Sequence, residues 1–312
     1  EGQRVVNAAA AETLRTIAKE GPSAFYHGDI GDIAISALAR KGGILSKADF
    51  TTYKTIEREP VRGSYRGHDI VGPPPPSSGG IHVIQMLNIL GGFDLAKLGF
   101  GGAESMHLIL EAFKIAFADR AAATADPAFV KVPVEKLISP AYAAERRAQI
   151  DLQKAKAWSA GVAPLGSPHT THVTVADGDG NVVASTQTIN SLFGARIMIP
   201  ELGLIPNNYM YLFQPRPGRS QSITPGKRVT TSMAPLMVLK DGAIRYALGL
   251  PGGLRIFGSA MQAVVNLLEH GMSLQEAVEA PRVWTQGDVV EIEDGFAARA
   301  RDGLAGMGHK VQ

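Results

Sequence analysis

The hydrophobic period of this chain changes character at one place, and any fold must accommodate that change. Residues 151–167 lose all periodicity and collect Lys, Ala, Gly, Pro and Ser. At Pro168-His169-Thr170-Thr171-His172-Val173-Thr174-Val175 a strand-like alternation begins. Helical patterns dominate the start of the chain and hairpins follow the junction. Two adjacent threonines stand there. A threonine hydroxyl is a weak nucleophile unless a base lies beside it, and cutting the chain ahead of the residue supplies one, its own α-amino group. Thr170 is the candidate for that residue. Read alone, a Thr-Thr pair entering a strand is β-branched filler, so the case depends on the rest of the chain.

With 312 residues, 45% of them hydrophobic, and a mean hydropathy of +0.03, the chain can bury a large core as one domain or two intimate ones. A net charge of +2 without long basic runs argues against a nucleic-acid or anionic-membrane partner and in favour of small molecules or peptides. The absence of cysteine removes disulfides, thiolate metal sites and thiol nucleophiles. No signal sequence is visible. The chain opens Glu1-Gly2-Gln3 rather than with Met and closes at Lys310-Val311-Gln312, and both natural ends are expected to lie beyond these residues. The most apolar stretch, 246–268, is broken by Pro251, Gly252, Gly253 and Arg255, so it reads as strand, turn and buried helix and not as a membrane span.

In chain order, helices are expected over 5–19 and 29–40, with a short one at 46–54, then a hairpin over 61–71 turning at Tyr65-Arg66-Gly67. Pro73-Pro74-Pro75-Pro76-Ser77-Ser78-Gly79-Gly80 reads either as a rigid connector or as the entry to a helix with exposed amides. Residues 104–122 place Met106, Ile109, Leu110, Phe113 and Phe117 on one helical face, which should be core. The stretch 151–167 is the candidate exposed, cleavable linker. Beyond Thr170 a hairpin joins 172–176 to 182–188 through Asp177-Gly178-Asp179-Gly180-Asn181. That turn lacks the distal glutamate of a calcium loop. Further strands are expected near 196–199, 234–239 and 243–248, and helices over 255–269 and 273–279. His169 and His172 fit no zinc spacing and read as structural; no metal or cofactor is expected.

Four other pieces have a use if Thr170 is a nucleophile. Thr188, on the neighbouring strand, can hold its hydroxyl in one rotamer. Gly252 and Gly253 can turn their amides toward a developing oxyanion. Asn190, Thr231 and Ser232 can hydrogen-bond a polar acyl group. Each also has an ordinary role, as turn, cap or strand end.

Together with Pro75-Pro76-Ser77-Ser78-Gly79-Gly80-Ile81-His82, Asp126-Pro127-Ala128-Phe129-Val130-Lys131-Val132-Pro133, Asn207-Asn208, Lys227-Arg228, Pro251-Gly252-Gly253-Leu254-Arg255-Ile256 and Ala280-Pro281-Arg282, the sequence resembles the gamma-glutamyltranspeptidases over nearly its whole length. The resemblance implies an α+β N-terminal-nucleophile hydrolase, a four-layer αββα sandwich with two antiparallel sheets. It implies self-cleavage between His169 and Thr170. Residues 1–169 would then be the C-terminal, mostly helical part of a large subunit, and 170–312 the small catalytic subunit. Thr170 would attack a γ-glutamyl amide and pass the acyl group to water, an amino acid or a peptide. By carry-over Thr188 orients it, Gly252 and Gly253 form the oxyanion hole, and Asn190, Thr231 and Ser232 bind the donor. Periplasmic or secreted localisation is likewise implied.

The sequence departs from the family in three ways. An arginine that the family places ahead of Glu1, for the donor's α-carboxylate, has no counterpart here. Tyr209 and Leu212 stand where the family has a carboxamide or acid and an aspartate for the donor's α-ammonium group; losing that charge-assisted bond costs roughly 1.5 to 3 kcal/mol. Residues 214–226 are short, like the lidless members, and predict an open cleft. Two rival readings follow. One is an acylase of the same superfamily, of glutaryl or cephalosporin type, which Leu212 favours because a glutaryl chain has no amino group. The other is a non-catalytic binding relative or fragment.

Overall fold

The computed structural model describes residues 2–158 and 170–312. They fall into two compact units, Glu1–Arg58 with Ser191–Asn208, and Glu59–Asn190 with Tyr209–Gln312. This division by compactness is separate from the expected covalent cut before Thr170, and His169 lies outside the described residues.

The smaller unit holds α1 (Ala8–Glu20), α2 (Ser23–Tyr26), α3 (Asp29–Ala39) and α4 (Lys47–Thr51). Asn7 starts α1 by accepting the Ala10 N–H at 3.0 Å, and its Nδ2 donates to the Gly203 carbonyl at 2.8 Å. The buried Thr13 hydroxyl donates to Leu202 O at 3.0 Å, so α1 is tied twice to the 191–208 segment. Ala24, Ile30, Ala34 and Ala37 close a small core with Ile199 and Leu202. The strand expected near 196–199 does not form. Left-handed backbone at Gly194, Arg196 and Gly203 curls the segment, which keeps only an Ile199–Leu204 bridge.

The larger unit begins with β1 (Val61–Tyr65) and β2 (His68–Gly72). Arg66 and Gly67 both have positive φ, as a two-residue hairpin turn requires. Then come α5 (Gly79–Leu90), α6 (Leu95–Leu98), α7 (Ala103–Ala123), α8 (Val134–Leu137) and α9 (Pro140–Arg147). β3 (Thr171–Ala176), β4 (Val182–Gln187), β5 (Leu236–Lys240) and β6 (Ala243–Leu248) follow. The unit closes with α10 (Ile256–Leu268), α11 (Leu274–Glu279), β7 (Val283–Thr285), β8 (Val289–Ile292), α12 (Ala298–Gly306) and β9 (Lys310–Val311). One antiparallel sheet runs β1-β2-β5-β6, and β3–β4 is a separate antiparallel pair. A third small sheet, β7-β8-β9, has a parallel β8–β9 edge and was not visible in the sequence pattern.

Helices with antiparallel sheets make the chain α+β, as the resemblance implies. The core centres on α5, which is buried almost all round, its polar side chains His82 and Gln85 included, and packs against α7, α9 and α10. Its entry does not expose its amides as expected, since Ser78, Gly79 and Gly80 are buried. Nor does α7 present one apolar face. It is enclosed on every side, with Glu111, Lys114 and Arg120 buried beside Phe113 and Phe117. No helix among the described residues is long and apolar enough to cross a membrane.

Candidate active site

Thr170 is half-buried and stands one residue before β3. In the β3–β4 ladder Thr171 faces Gln187 and His172 faces Thr186. The same register carried one step further sets Thr170 opposite Thr188, where directly facing side chains come within about 5 Å of each other. The Thr188 hydroxyl accepts the Asn190 N–H at 2.8 Å, in a turn that holds Asn190 buried with φ +74°. An asparagine tolerates that backbone far better than a β-branched residue would.

His172 packs this hairpin against the end of β6. Its ring nitrogens pair with the hydroxyls of Thr186 at 2.8 Å and Thr174 at 3.0 Å, and burial holds its pKa below the ordinary imidazole value. A neutral ring donates at one nitrogen and accepts at the other, which suits two hydroxyl partners. The ring packs on Gly249, just past the end of β6; a Cβ there would meet His172 Cε1 at 2.2 Å. The glycine therefore allows the ring to sit against the backbone, bringing β3 beside the segment that continues into Pro251-Gly252-Gly253.

In that turn Gly252 has φ +143° and Gly253 φ +58°, conformations that L side chains rarely adopt. The Ser232 hydroxyl donates to the Gly253 carbonyl at 2.5 Å, fixing the turn to the strand-like run 230–233. Thr231, next along that run, is bound through its backbone. The Ser78 N–H and hydroxyl both donate to Thr231 O, at 2.9 and 2.7 Å, while Thr231 N–H donates to Pro76 O at 3.2 Å. Ser77 donates to Met233 O at 2.6 Å, and buried Arg120 donates from Nε to the Ser78 hydroxyl at 3.1 Å. Desolvation brings Arg120 down to about 10. The Ser-Ser pair at the start of α5 is thus a support for the candidate donor-binding strand. The sequence showed the motif but not what it supports. Asp126 has a similar role, accepting Arg228 N–H at 2.8 Å and Ala128 N–H at 3.2 Å.

Tyr209 is half-buried with its hydroxyl 4.0 Å from Met233 Sδ, and burial pushes its pKa up to about 12. Leu212, at the end of the same short helical turn, is also half-buried. The 214–226 segment is folded on itself, with Gln214 N–H donating to Gln221 O at 2.9 Å and the Lys227 ammonium to Ser220 O at 2.6 Å. Gln221 also moors it to the end of α7 through Arg120 O at 3.1 Å. Among the described residues no hydrogen bond joins Thr170 to Gly252 or Gly253.

Comparison with known proteins gives the following. The gamma-glutamyltranspeptidase family pattern matches residues 1–312. The chain is 59% identical over 310 residues to the Acylase ACY 1 proenzyme of Pseudomonas sp. (strain SE83), covering 99% of this chain and 56% of that protein. It is 41% identical over 327 residues to the Glutathione hydrolase proenzyme of Escherichia coli (strain K12), covering 100% and 56%. A crystal structure of a cephalosporin acylase from Bacillus halodurans superposes with a TM-score of 0.89 at 30% identity, covering 97% of this chain and 55% of that one. The chain thus spans just over half the length of the curated relatives it matches.

Proposed function

The chain belongs to the gamma-glutamyltranspeptidase family of N-terminal-nucleophile hydrolases, and from that premise we propose that it is the core of an amide hydrolase and acyltransferase that generates its own nucleophile at Thr170, with γ-glutamyl amides of the glutathione type as donors. In maturation the Thr170 hydroxyl adds to the carbonyl carbon of His169. The peptide C–N bond breaks, and the proton given up by the hydroxyl passes to the nitrogen, which becomes the free α-amino group of Thr170. Water hydrolyses the resulting ester, leaving a carboxylate on His169 and restoring the hydroxyl. Residues 1–169 then end the large subunit and 170–312 form the small one.

In turnover the α-amino group takes the hydroxyl proton as the oxygen attacks the donor carbonyl. Thr188 orients that oxygen, and the amides of Gly252 and Gly253 stabilise the oxyanion. The leaving amine departs with the proton. Asn190, Thr231, Ser232 and Tyr209 hold the acyl group, which passes to water or to the amine of an amino acid or peptide. The observation that supports this reading is the β3–β4 register, which continued one pair beyond Thr171–Gln187 puts Thr170 opposite Thr188, on a hairpin whose His172 packs on Gly249 shortly before Pro251-Gly252-Gly253. Periplasmic or secreted localisation belongs to the same proposal.

A second reading, an acylase acting on glutaryl-like amides, has two specific supports. Leu212 offers an ammonium group no counter-charge, and the 59% relative is named an acylase. Intact-mass measurement tests maturation: pieces of 169 and 143 residues are expected, and a Thr170→Ala chain should stay whole and lose at least about a thousandfold in turnover. A Thr170→Ala protein that still cleaves and turns over defeats both readings. Comparing kcat/KM for a γ-glutamyl and a glutaryl anilide then decides between them; clear preference for the glutaryl compound overturns the γ-glutamyl assignment.

A further inference from the structure

Away from these residues, four ionisable side chains meet inside the core. Glu111 and Lys114 on α7 form an ion pair at 2.8 Å with almost no exposure, and His107 and His309 lie against them, equally buried. The hydrogens can be assigned throughout. His107 Nε2 lies 2.8 Å from the Asp151 carbonyl and donates to it, and its Nδ1 accepts because the Lys114 ammonium, which can only donate, makes His309 Nδ1 an acceptor and His309 Nε2 a donor. His309 Nε2 donates to that Nδ1 at 2.8 Å, leaving His309 Nδ1 to accept from the Lys114 ammonium at 3.4 Å. His309 is thereby neutral, in keeping with its pKa pushed down to about 3 by burial and by Lys114 and His107. The remaining Lys114 hydrogens go to Glu111 Oε1 and to Lys156 O at 3.3 Å. A divalent ion on His107, Glu111 and His309, whose ligand atoms lie within 4.8 Å of one another, would have to displace Lys114 and break the bond between the rings.

What the cluster holds is a short arm of chain. Asp151 O, Lys156 O and Lys156 N–H all end on it, the last on Glu111 Oε1 at 3.3 Å. The Trp158 indole N–H donates to Glu111 Oε2 at 2.8 Å, with Arg146 and Lys156 each 4.6 Å from the ring centre. Ala155 N–H donates to Met307 O at 2.7 Å, just after α12. Burying a carboxylate and an ammonium group is a poor way to fill a core, and apolar side chains of similar volume often do as well or better. Apolar side chains cannot grip the carbonyls and amides of a passing segment.

We propose that the Glu111–Lys114–His309–His107 relay is a maturation anchor: it holds the arm 151–158, the last described stretch before Thr170, so that self-cleavage proceeds quickly, and it takes no part in turnover by the matured enzyme. The inference rests on the reading that the chain is cut before Thr170.

The test uses the precursor with Trp158→Phe, which removes one donor and keeps the ring, and with Glu111→Gln, which keeps the shape and removes the charge. Conversion to the two pieces is expected to slow at least tenfold in each, while protein allowed to finish maturing keeps kcat/KM within twofold. In the uncleavable Thr170→Ala background, hydrogen exchange at the Ala155 and Lys156 amides should rise at least tenfold over Thr170→Ala alone, with α5 and α10 unchanged. Cleavage at the parental rate in both variants overturns the anchor. So does an exchange increase spread evenly over α5 and α10, which would mark a purely structural role. A parent chain that never cleaves overturns the maturation reading itself, whatever the exchange shows.

Discussion

In α7 every ionisable group named inside the core has a partner in place, whereas in the β3–β4 hairpin few side chains are buried at all. Val173, Val175 and Val183 share one face of that hairpin and are about half exposed or more. The opposite face rests on His172 and Gly249. The helical region is therefore over-determined, and the hairpin that carries the proposed nucleophile takes its position from a few contacts. Precision at Thr170 should be easy to lose without unfolding, and stability easy to lose without approaching Thr170.

Substitutions in the two regions should have different effects, and like effects would mean that both are held in the same way. Phe113→Ala, in the fully buried centre of α7, should cost about 3 to 5 kcal/mol in chemical denaturation, through lost burial and the cavity left behind. Gly249→Ala should leave global stability much less affected, yet lower kcat/KM about a hundredfold, because the new methyl displaces the His172 ring and with it the hairpin. An unchanged kcat/KM would mean that His172 does not position Thr170.

Acidification sharpens the same contrast. Burial holds His82 down at about 4, while it faces Gln85, Thr124 and Arg120, and His309 is lowered in the same direction. Between those values and the unfolded pKa near 6.5 the unfolded chain binds the extra protons. Stability is therefore complete above about pH 6.5 and falls with pH, by about 2 kcal/mol at pH 5 from His82 alone. Thermal melts across that range check it. At the small end, Val175→Ala on the open face of β3 should change stability by no more than about 0.5 kcal/mol.

Local chemistry was legible in the sequence wherever it acts through neighbouring residues. The Lys240-Asp241-Gly242 turn set β6 at its observed bounds because Asp241 and Gly242 both take positive φ. The β3–β4 hairpin likewise forms around the Asp-Gly-Asp-Gly-Asn turn, with Thr171 facing Gln187. The candidate site was readable as motifs, but the links Ser77–Met233, Ser78–Thr231 and Ser232–Gly253 were not, because two of the three join residues more than 150 positions apart. The all-round burial of α7 was missed for a related reason. Glu111 and Lys114 look like a solvated face until His309, 202 residues beyond His107, is seen to complete their hydrogen bonding. β7, β8 and β9 have three, four and two residues, too short for a period to show.

For anyone wishing to recode the acyl preference, the three glycines at 249, 252 and 253 divide the work in advance. The first has a ring where a methyl would go, and the other two follow positive-φ backbone paths that side chains other than glycine rarely adopt. A combinatorial library should leave them untouched and spend its diversity on Tyr209 and Leu212, which are half-buried in a short helical turn with ordinary negative φ.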